Sequence, residues 1–316
     1  MASKTTTQTN RPTSWVETPP SNPPLHKWSS ELIAHMPWLD KLAEPLQNWL
    51  VRLYGKPGEP SYRAKDFLNG VWLGHVLHPT VVQLPLGAWT AATILDQVWL
   101  SKEDDGLARG SDLLLWVGLA SSLSAVVTGL TNWADVDGPE KRAGLWHGIL
   151  NGSAGVLNLT SAILRLAGQR RLAIALSSTA FVGTVYSAYI GGDLAYSSAI
   201  GVNHTAQEGG PDKFFPVMNE ADLVPGKLTR VVAEGVPVVL MKDGNTICAL
   251  AATCSHLGGP LDEGSYQDGV VYCPWHNSGF HMCDGSVANS PAVYPQPAFA
   301  VRTRNGKIEV RRLEHV

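Results

Sequence analysis

Two pairs of cysteine and histidine near the C-terminus have the residue types and spacing of a metal site. Cys254 and His256 lie in the stretch CSHLGGPLDEG, and Cys273 and His276 lie in CPWHNSGF. Two thiolates can hold one iron of a [2Fe–2S] cluster while two imidazoles hold the other, which raises the reduction potential above that of an all-thiolate cluster. Because cysteine binds as the thiolate and histidine as the neutral imidazole, the four side chains bring only two negative charges to the site.

A structural zinc site is the alternative, since zinc also accepts mixed cysteine and histidine ligands. Zinc ligand pairs are usually separated by about two to four residues, whereas a single residue separates Cys254 from His256. Glycine and proline next to both pairs are typical of loop tips, whose turns bring backbone N–H groups close to cluster sulfurs. The spacing therefore favours the diiron cluster over zinc.

The arrangement resembles a Rieske centre, and the resemblance extends from near Lys213 to the C-terminus. It implies Cys254, His256, Cys273 and His276 as cluster ligands. The quinol-oxidising Rieske proteins carry two further cysteines that form a disulfide clasp, and the matching positions here are Gly259 and Trp275. The pattern is therefore similar to the ferredoxin and oxygenase-associated branch.

Three further positions bear on the properties of such a cluster. Ser278 matches a serine whose hydroxyl donates to a bridging sulfide in high-potential members, whereas Phe280 stands where those members have a tyrosine. Fewer donors stabilise the reduced cluster less, so the resemblance implies an intermediate or low potential. Asn277 replaces the usual glycine, and we expect it to adopt a left-handed backbone conformation, which asparagine tolerates better than most residues.

The residues around the ligand pairs predict a small β-sandwich. Segments rich in β-formers predict strands, and Asp243-Gly244 and Asn305-Gly306 predict hairpin turns. The predicted strands are residues 228–234, 236–241, 246–252, 269–272, 299–303 and 307–311.

The middle of the chain has the hydropathy pattern of a membrane domain. Four segments are long enough to span a bilayer, namely residues 80–100, 113–130, 143–164 and 172–192. The last three contain no charged residue, and short polar stretches connect them. A soluble helical bundle is the alternative interpretation. The stretches HPTVVQLPLGAW, TGLTNWADV and GGDLAYSSAIGV resemble an uncharacterised bacterial four-helix membrane family, a resemblance that implies architecture and no chemistry.

Polar residues recur on one face of the third segment. His147, Asn151, Asn158 and Arg165 fall on one side of a helix, and we expect this side to point into the bundle because unsatisfied polar groups are costly in lipid. The first segment adds Asp96 and, at its entrance, His75 and His78.

Three interpretations of these polar groups stay open. They hydrogen-bond one another and hold the helices together, or His78 and His147 ligate a b-type haem, or a quinone or proton path lies against His147, Asn151 and Asp96. A reduced-state alpha band in the absorption spectrum is expected only with haem.

The remaining regions predict the domain organisation. We expect disorder over residues 1–24, an interfacial or amphipathic helical region over 25–70, a four-helix membrane domain over 71–192, a linker over 193–212 and a Rieske [2Fe–2S] domain over 213–316. The N-terminal residues do not have the pattern of a cleaved secretory signal. The fold class is thus a multi-domain protein, with an α-helical four-span membrane bundle followed by an all-β Rieske-type sandwich.

Charge and cysteine usage bear on partners and location. A net charge of −3 without a basic cluster gives no support for nucleic-acid binding. The pattern predicts a multi-pass protein of the cell (inner) membrane, but lysine and arginine divide almost evenly between the predicted sides. The missing clasp favours a cytoplasmic Rieske domain. Whether Cys248 pairs with Cys283 is left open by the sequence.

We expect an electron-transfer protein that exchanges single electrons with a reductase or oxidase and lies in the lipid bilayer, with quinone as a further possible partner. A redox sensor or scaffold without catalysis is the alternative. An oxygenase is disfavoured because only forty residues follow the cluster motif, too few for a domain that holds mononuclear iron. The chain is thus more consistent with an electron carrier or an oxidoreductase component than with a self-contained enzyme.

Overall fold

The computed structural model describes residues 23–313, so the predicted disorder of residues 1–24 falls almost entirely outside the described part. The chain divides into two compact units, the second beginning at Pro37. Helix α1, Pro24–Ala34, belongs to the first unit and begins with a proline, which suits the first turn of a helix.

The second unit starts with a helical region. Its helices are α2 Trp38–Tyr54, α3 Pro60–Asn69, α4 His78–Val81, α5 Gln83–Lys102, α6 Asp105–Trp133, α7 Gly138–Leu166 and α8 Arg170–Tyr196. The four predicted membrane segments coincide with α5 to α8. Helix α5 packs mainly on α6 and α7 mainly on α8, and α6 joins the two pairs by packing on α7.

Helices α6 and α8 are long and apolar enough to cross a membrane. Much of their apolar surface faces outward, as shown by the exposed side chains of Leu113, Leu123 and Val182. An extended exposed apolar surface is typical of contact with lipid or with another protein. The polar face predicted on α7 points inward, since Asn158 is buried and the Arg165 side chain is only 4% exposed.

The predicted amphipathic helix is α2, and it is buried on only part of its apolar surface. Leu39 and Leu50 are buried, whereas Trp49 and Leu53 remain more than half exposed. Pro45 lies inside the helix, and Arg142 of α7 forms an ion pair with Asp40. The exposed apolar residues are the part of α2 that suits a membrane interface.

The C-terminal residues form two antiparallel sheets, here called the β domain (residues 213–313). The strands are β1 Phe215–Asn219, β2 Thr229–Ala233, β3 Val236–Asp243, β4 Thr246–Ala251, β5 Ser265–Gln267, β6 Val270–Tyr272, β7 Gly279–His281, β8 Val287–Asn289, β9 Ala298–Arg304 and β10 Lys307–Arg312. One sheet has the order β1-β10-β9-β4-β3-β2, and the other has the order β5-β6-β7-β8. All six predicted strands are present, within a few residues.

Local turn chemistry sets the register of the larger sheet. Asn305 and Gly306 both have positive φ, as a two-residue turn between twisted strands requires, and they join Arg304 to Lys307 in the β9–β10 hairpin. The apolar residues between the sheets form a core that includes Leu250, Phe280 and Met282. The ligand loops project from this core.

The segment after α8 packs along the β domain. The backbone N–H of His204 donates to the carbonyl oxygen of Ser255, and the Thr253 hydroxyl donates to Glu208. The predicted linker therefore contacts the strand and loop that carry the first ligand pair.

Candidate metal centre

Two loops with the same backbone pattern carry the four predicted ligands. The first follows β4 and begins at Cys254; the second follows β6 and begins at Cys273. The N–H of Gly258 donates to the carbonyl of Cys254, and the N–H of Asn277 donates to that of Cys273, both four residues back. In each loop the cysteine N–H also bonds to the carbonyl of the residue five positions on.

Residues with left-handed backbone conformation close both loops. Gly258 has φ of 78° and Asn277 has φ of 63°. The expectation that asparagine adopts this conformation in place of glycine is confirmed. The Asn277 carbonyl also accepts a hydrogen bond from the Asn289 side chain, which ties the second loop to β8.

The loops bring sulfur next to sulfur and imidazole next to imidazole. Cys254 and Cys273 are buried and free of any disulfide. The thiol of Cys254 bonds to the sulfur of Cys273, which raises the pKa of Cys254 and lowers the pKa of Cys273 to about 6. The rings of His256 and His276 lie 5.0 Å apart, edge to face.

This donor set fits a cluster with unequal ligation. Burial, and then the neighbouring His276, lower the pKa of His256 to about 3, which keeps the ring neutral, the form in which imidazole binds metal. Each iron would receive two like donors, which is the arrangement that separates a Rieske centre from an all-cysteine cluster.

Gly259, which stands at the position of the missing clasp cysteine, packs closely against the second ligand loop. A Cβ on Gly259 would lie 2.7 Å from the sulfur of Cys273 and 3.1 Å from the Trp275 ring. Real Cβ atoms do not approach sulfur so closely, so any larger residue there would displace the ligand.

Ser278 and Phe280 lie behind the second loop and are both fully buried. The Ser278 hydroxyl oxygen accepts from the N–H of Ala292 at 3.1 Å and lies within hydrogen-bonding reach of the Cys254 sulfur. Because its acceptor role is taken by Ala292, the hydroxyl proton is available for a sulfur. Phe280 contributes a purely apolar side chain to the core.

Cys248 and Cys283 form a disulfide with a Cα–Cα distance of 4.8 Å. Cys248 lies in β4 of the larger sheet, and Cys283 follows β7 of the smaller one. The bond thus joins the two sheets and answers a question that the sequence left open.

A part of the site that sequence reasoning missed comes from the helical region. The Nε2 atom of His276 bonds to the Oδ2 atom of Asp137 at 2.8 Å, and Asp137 lies in the connection between α6 and α7. Close by, Tyr62 and Asp66 of α3 hold the backbone of Ser290. No local signal in the sequence indicates these contacts, because the partners are far apart along the chain.

The polar residues predicted inside the bundle separate into two groups. Asp96 is fully buried and pairs with Arg165 at 2.5 Å, and Asp112 and Arg170 complete this charged cluster. His147 lies eighteen residues before Arg165 on α7, which is about 27 Å along a helix. Asp96 is therefore not part of a site with His147 and Asn151.

The second group is held together by hydrogen bonds between helices. His147 Nδ1 lies 2.8 Å from the carbonyl oxygen of Ser187, and its Nε2 lies 3.1 Å from the Asn151 side-chain nitrogen. His78 Nδ1 bonds to the Thr128 hydroxyl at 3.1 Å. These contacts give the polar groups partners from their own or a neighbouring helix.

Comparison with known proteins matches the two regions separately. Residues 74–204 match a family described as "Predicted membrane protein (DUF2231)", and residues 213–300 match the "Rieske [2Fe-2S] domain" family. The β domain is similar to "Ferredoxin CarAc" of Metapseudomonas resinovorans, with 33% identity over 91 residues that cover 28% of this chain and 85% of the relative.

Two further similar proteins are also ferredoxins by name. The "Anthranilate 1,2-dioxygenase ferredoxin subunit" of Burkholderia cepacia is 30% identical over 79 residues, 25% of this chain and 73% of the relative. Among solved structures, the "Ferredoxin of carbazole 1,9a-dioxygenase from Nocardioides aromaticivorans IC177" is 28% identical and has a TM-score of 0.31, covering 31% of this chain and 97% of that one.

Proposed function

Because this chain belongs to the Rieske [2Fe–2S] ferredoxin family through its β domain, we propose that it is a membrane-anchored one-electron carrier. The observation that carries the proposal is the pairing of like donors: two buried sulfurs in contact, and two imidazole rings 5.0 Å apart. Cys254 and Cys273 would hold one iron, and His256 and His276 the other. The cluster, when bound, supplies the one-electron redox chemistry.

The chain's own residues bind and tune the cluster. Burial of both cysteines excludes water from the sulfurs, and neutral imidazole ligands would keep the net charge of the site low. The outer nitrogens of the two imidazoles can hold a proton whose affinity depends on the charge of the iron, so electron transfer can be coupled to proton transfer.

Paramagnetic resonance of the full-length protein in detergent tests this proposal. We expect the reduced protein to contain two irons and two sulfides per chain and to give a Rieske signal. Cys273→Ser should abolish the signal and lower the melting temperature, because metal ligation contributes folding energy. A colourless protein that binds zinc after anaerobic reconstitution would contradict the proposal.

The membrane attachment rests on the helical region. We propose that α5 to α8 all cross the cell (inner) membrane, with α6 and α8 supplying most of the lipid-facing surface. The buried Asp96–Arg165 pair would let α5 and α7 carry charges within the bundle. Extraction of the protein from isolated membranes by detergent, and not by high salt or carbonate, is the expected result.

The Cys248–Cys283 disulfide gives evidence on the side of the membrane to which the β domain belongs. The missing clasp favoured the cytoplasm, but the Cys248–Cys283 disulfide favours an oxidising compartment, where such bonds persist. We therefore propose that the β domain lies on the side of the membrane that faces the oxidising compartment. Mass spectrometry of cells quenched with a thiol-alkylating reagent should find Cys248 and Cys283 linked. Alkylated thiols at both positions would return the domain to the cytoplasm.

The partners follow from the relatives. One relative compared above is the ferredoxin subunit of an anthranilate 1,2-dioxygenase, so we propose that this protein exchanges electrons with a reductase and an oxygenase or other oxidase. A redox sensor would bind its partner in a cluster-dependent way without passing electrons on. Stopped-flow oxidation of the reduced protein by such a partner distinguishes the two functions.

A second redox centre in the bundle is the alternative for the helical region. Both ring nitrogens of His147 already have partners, which favours the structural role of these polar groups over haem b or quinone binding. An alpha band in the reduced spectrum that disappears in His147→Ala would establish haem instead.

A further inference from the structure

The helical region supplies a carboxylate to a predicted cluster ligand. The Oδ2 atom of Asp137 lies 2.8 Å from Nε2 of His276, and the imidazole is only 11% exposed whereas the carboxylate is 79% exposed. With Nε2 engaged by Asp137, Nδ1 is the nitrogen that is left for iron. The carboxylate therefore lies on the edge of the imidazole that would point away from a bound iron.

The local structure leaves the Asp137 carboxylate free for this contact. Asp137 precedes the first residue of α7, the position at which aspartate usually caps a helix, but its side chain makes no capping hydrogen bond. Asp104 occupies the equivalent position before α6 and does cap, accepting from the N–H of Leu107 at 2.9 Å. The two helix starts differ because Asp137 bonds to His276 instead.

A second set of contacts fixes the ligand loop against the same helical region. The Tyr62 hydroxyl donates to the Ser290 carbonyl at 2.9 Å, and Asp66 accepts from the Ser290 N–H at 2.8 Å. The neighbouring Asn289 side chain donates to the carbonyl of Asn277, the residue after His276. Helix α3 thus holds the second ligand loop through two hydrogen-bonded steps.

A buried ion pair makes this support rigid. Lys65 and Asp135 are bonded at 2.8 Å, with side chains only 5% and 9% exposed. The pair joins α3 to the connection that carries Asp137. A carboxylate held on a rigid support acts on a metal ligand more strongly than a mobile surface charge does.

We infer that Asp137 is a positioning residue that orients His276 and lowers the reduction potential of the cluster, so that the helical region tunes the Rieske domain. The inference rests on the proposed function. A carboxylate that accepts a hydrogen bond from a ligating imidazole increases the basicity of that ligand. Its negative charge also stabilises the oxidised form, which carries more positive charge than the reduced form.

Redox titration of the full-length protein, followed by paramagnetic resonance, tests the inference. Asp137→Asn keeps an acceptor oxygen and removes the charge, and it should shift the redox equilibrium toward reduction by roughly tenfold, which is about 59 mV for a one-electron couple. Asp137→Ala should also change the line shape of the Rieske signal, because the ring loses its anchor. Asp137→Glu should restore part of the wild-type potential.

A matched control removes a different carboxylate, one that lies near the ligand loop but makes no hydrogen bond to the His276 ring. Glu263 lines the same surface cavity as Cys273, Trp275 and His276, so Glu263→Gln should shift the equilibrium much less than Asp137→Asn. If Asp137→Asn lowers the melting temperature but leaves the potential at the wild-type value, Asp137 is only structural and the inference is wrong. A wild-type protein without a Rieske signal would instead overturn the proposed function, and the inference with it.

Discussion

Replacing Ser278 by alanine tests how the fold tunes the cluster from inside the β domain. Ser278 is fully buried; its oxygen accepts from the Ala292 N–H at 3.1 Å, and its hydroxyl lies within reach of the Cys254 sulfur. The hydroxyl can therefore donate to sulfur, and this donation is stronger when the cluster is reduced and more negative.

The expected change in potential follows from the difference in strength of this hydrogen bond between the oxidised and the reduced cluster. A hydrogen bond between neutral groups contributes about 1 kcal/mol, and one to a charged acceptor contributes about 1.5–3 kcal/mol. A difference of about 1.4 kcal/mol is a factor of ten, so Ser278→Ala should lower the potential by roughly 59 mV for a one-electron couple. The unpaired Ala292 N–H should cost a further ~1–3 kcal/mol of stability in both redox states.

A neighbouring serine provides the control for this experiment. Ser255 is also buried next to a ligand, but its hydroxyl donates to the carbonyl of Tyr294 at 2.9 Å and not to sulfur. Ser255→Ala should therefore destabilise the domain and leave the potential unchanged in a redox titration. An unchanged potential in Ser278→Ala, or an equal change in both variants, would refute the reasoning.

Two further predictions concern stability. Asp96→Ala breaks the buried ion pair with Arg165 and should lower the stability by about 3–5 kcal/mol, measured by thermal unfolding in detergent. As a control, Glu103→Ala breaks the exposed ion pair with Arg171 and should lower the stability by at most ~1 kcal/mol. Equal losses of stability in the two variants would contradict the reasoning from burial. Burial raises the pKa of Glu208 above its usual 4.5, so its contribution to stability is present below that pH and is lost as the pH rises through the folded pKa. Glu208→Gln should therefore gain stability relative to wild type as the pH rises above 4.5 and through the folded pKa. A stability difference that does not change with pH would show that the fold does not raise this pKa.

Much of the cluster site could be predicted because its determinants are local. The ligand types, the single residue between Cys254 and His256, and the left-handed positions at Gly258 and Asn277 all lie within short loops. The same holds for the Asn305-Gly306 hairpin, since a two-residue turn fixes the register of the strands on either side. The four apolar segments likewise predict α5 to α8 from hydropathy.

Short strands and distant partners could not be predicted in this way. Strands β5, β7 and β8 have three residues each and, unlike the equally short β6 with its Val270-Val271 pair, lack a run of β-formers. Their pairing with neighbouring strands decides that they are strands. The sequence predicted one set of polar residues in the bundle. In the structure, Asp96 forms an ion pair with Arg165 near one end of α7, whereas His147 bonds to Ser187 closer to the other end. Helix pairing determines which polar groups meet.

The chemistry of the ligands and the order of the two regions can be predicted from the amino-acid sequence, because both depend on residue type and short spacing. Folding of the whole chain sets which nitrogen of His276 faces a carboxylate, pairs Cys248 with Cys283, and brings α3 against the second ligand loop. Asp137 and His276 are 139 positions apart. Contacts over such separations arise from the packing of whole elements, and no local pattern encodes them.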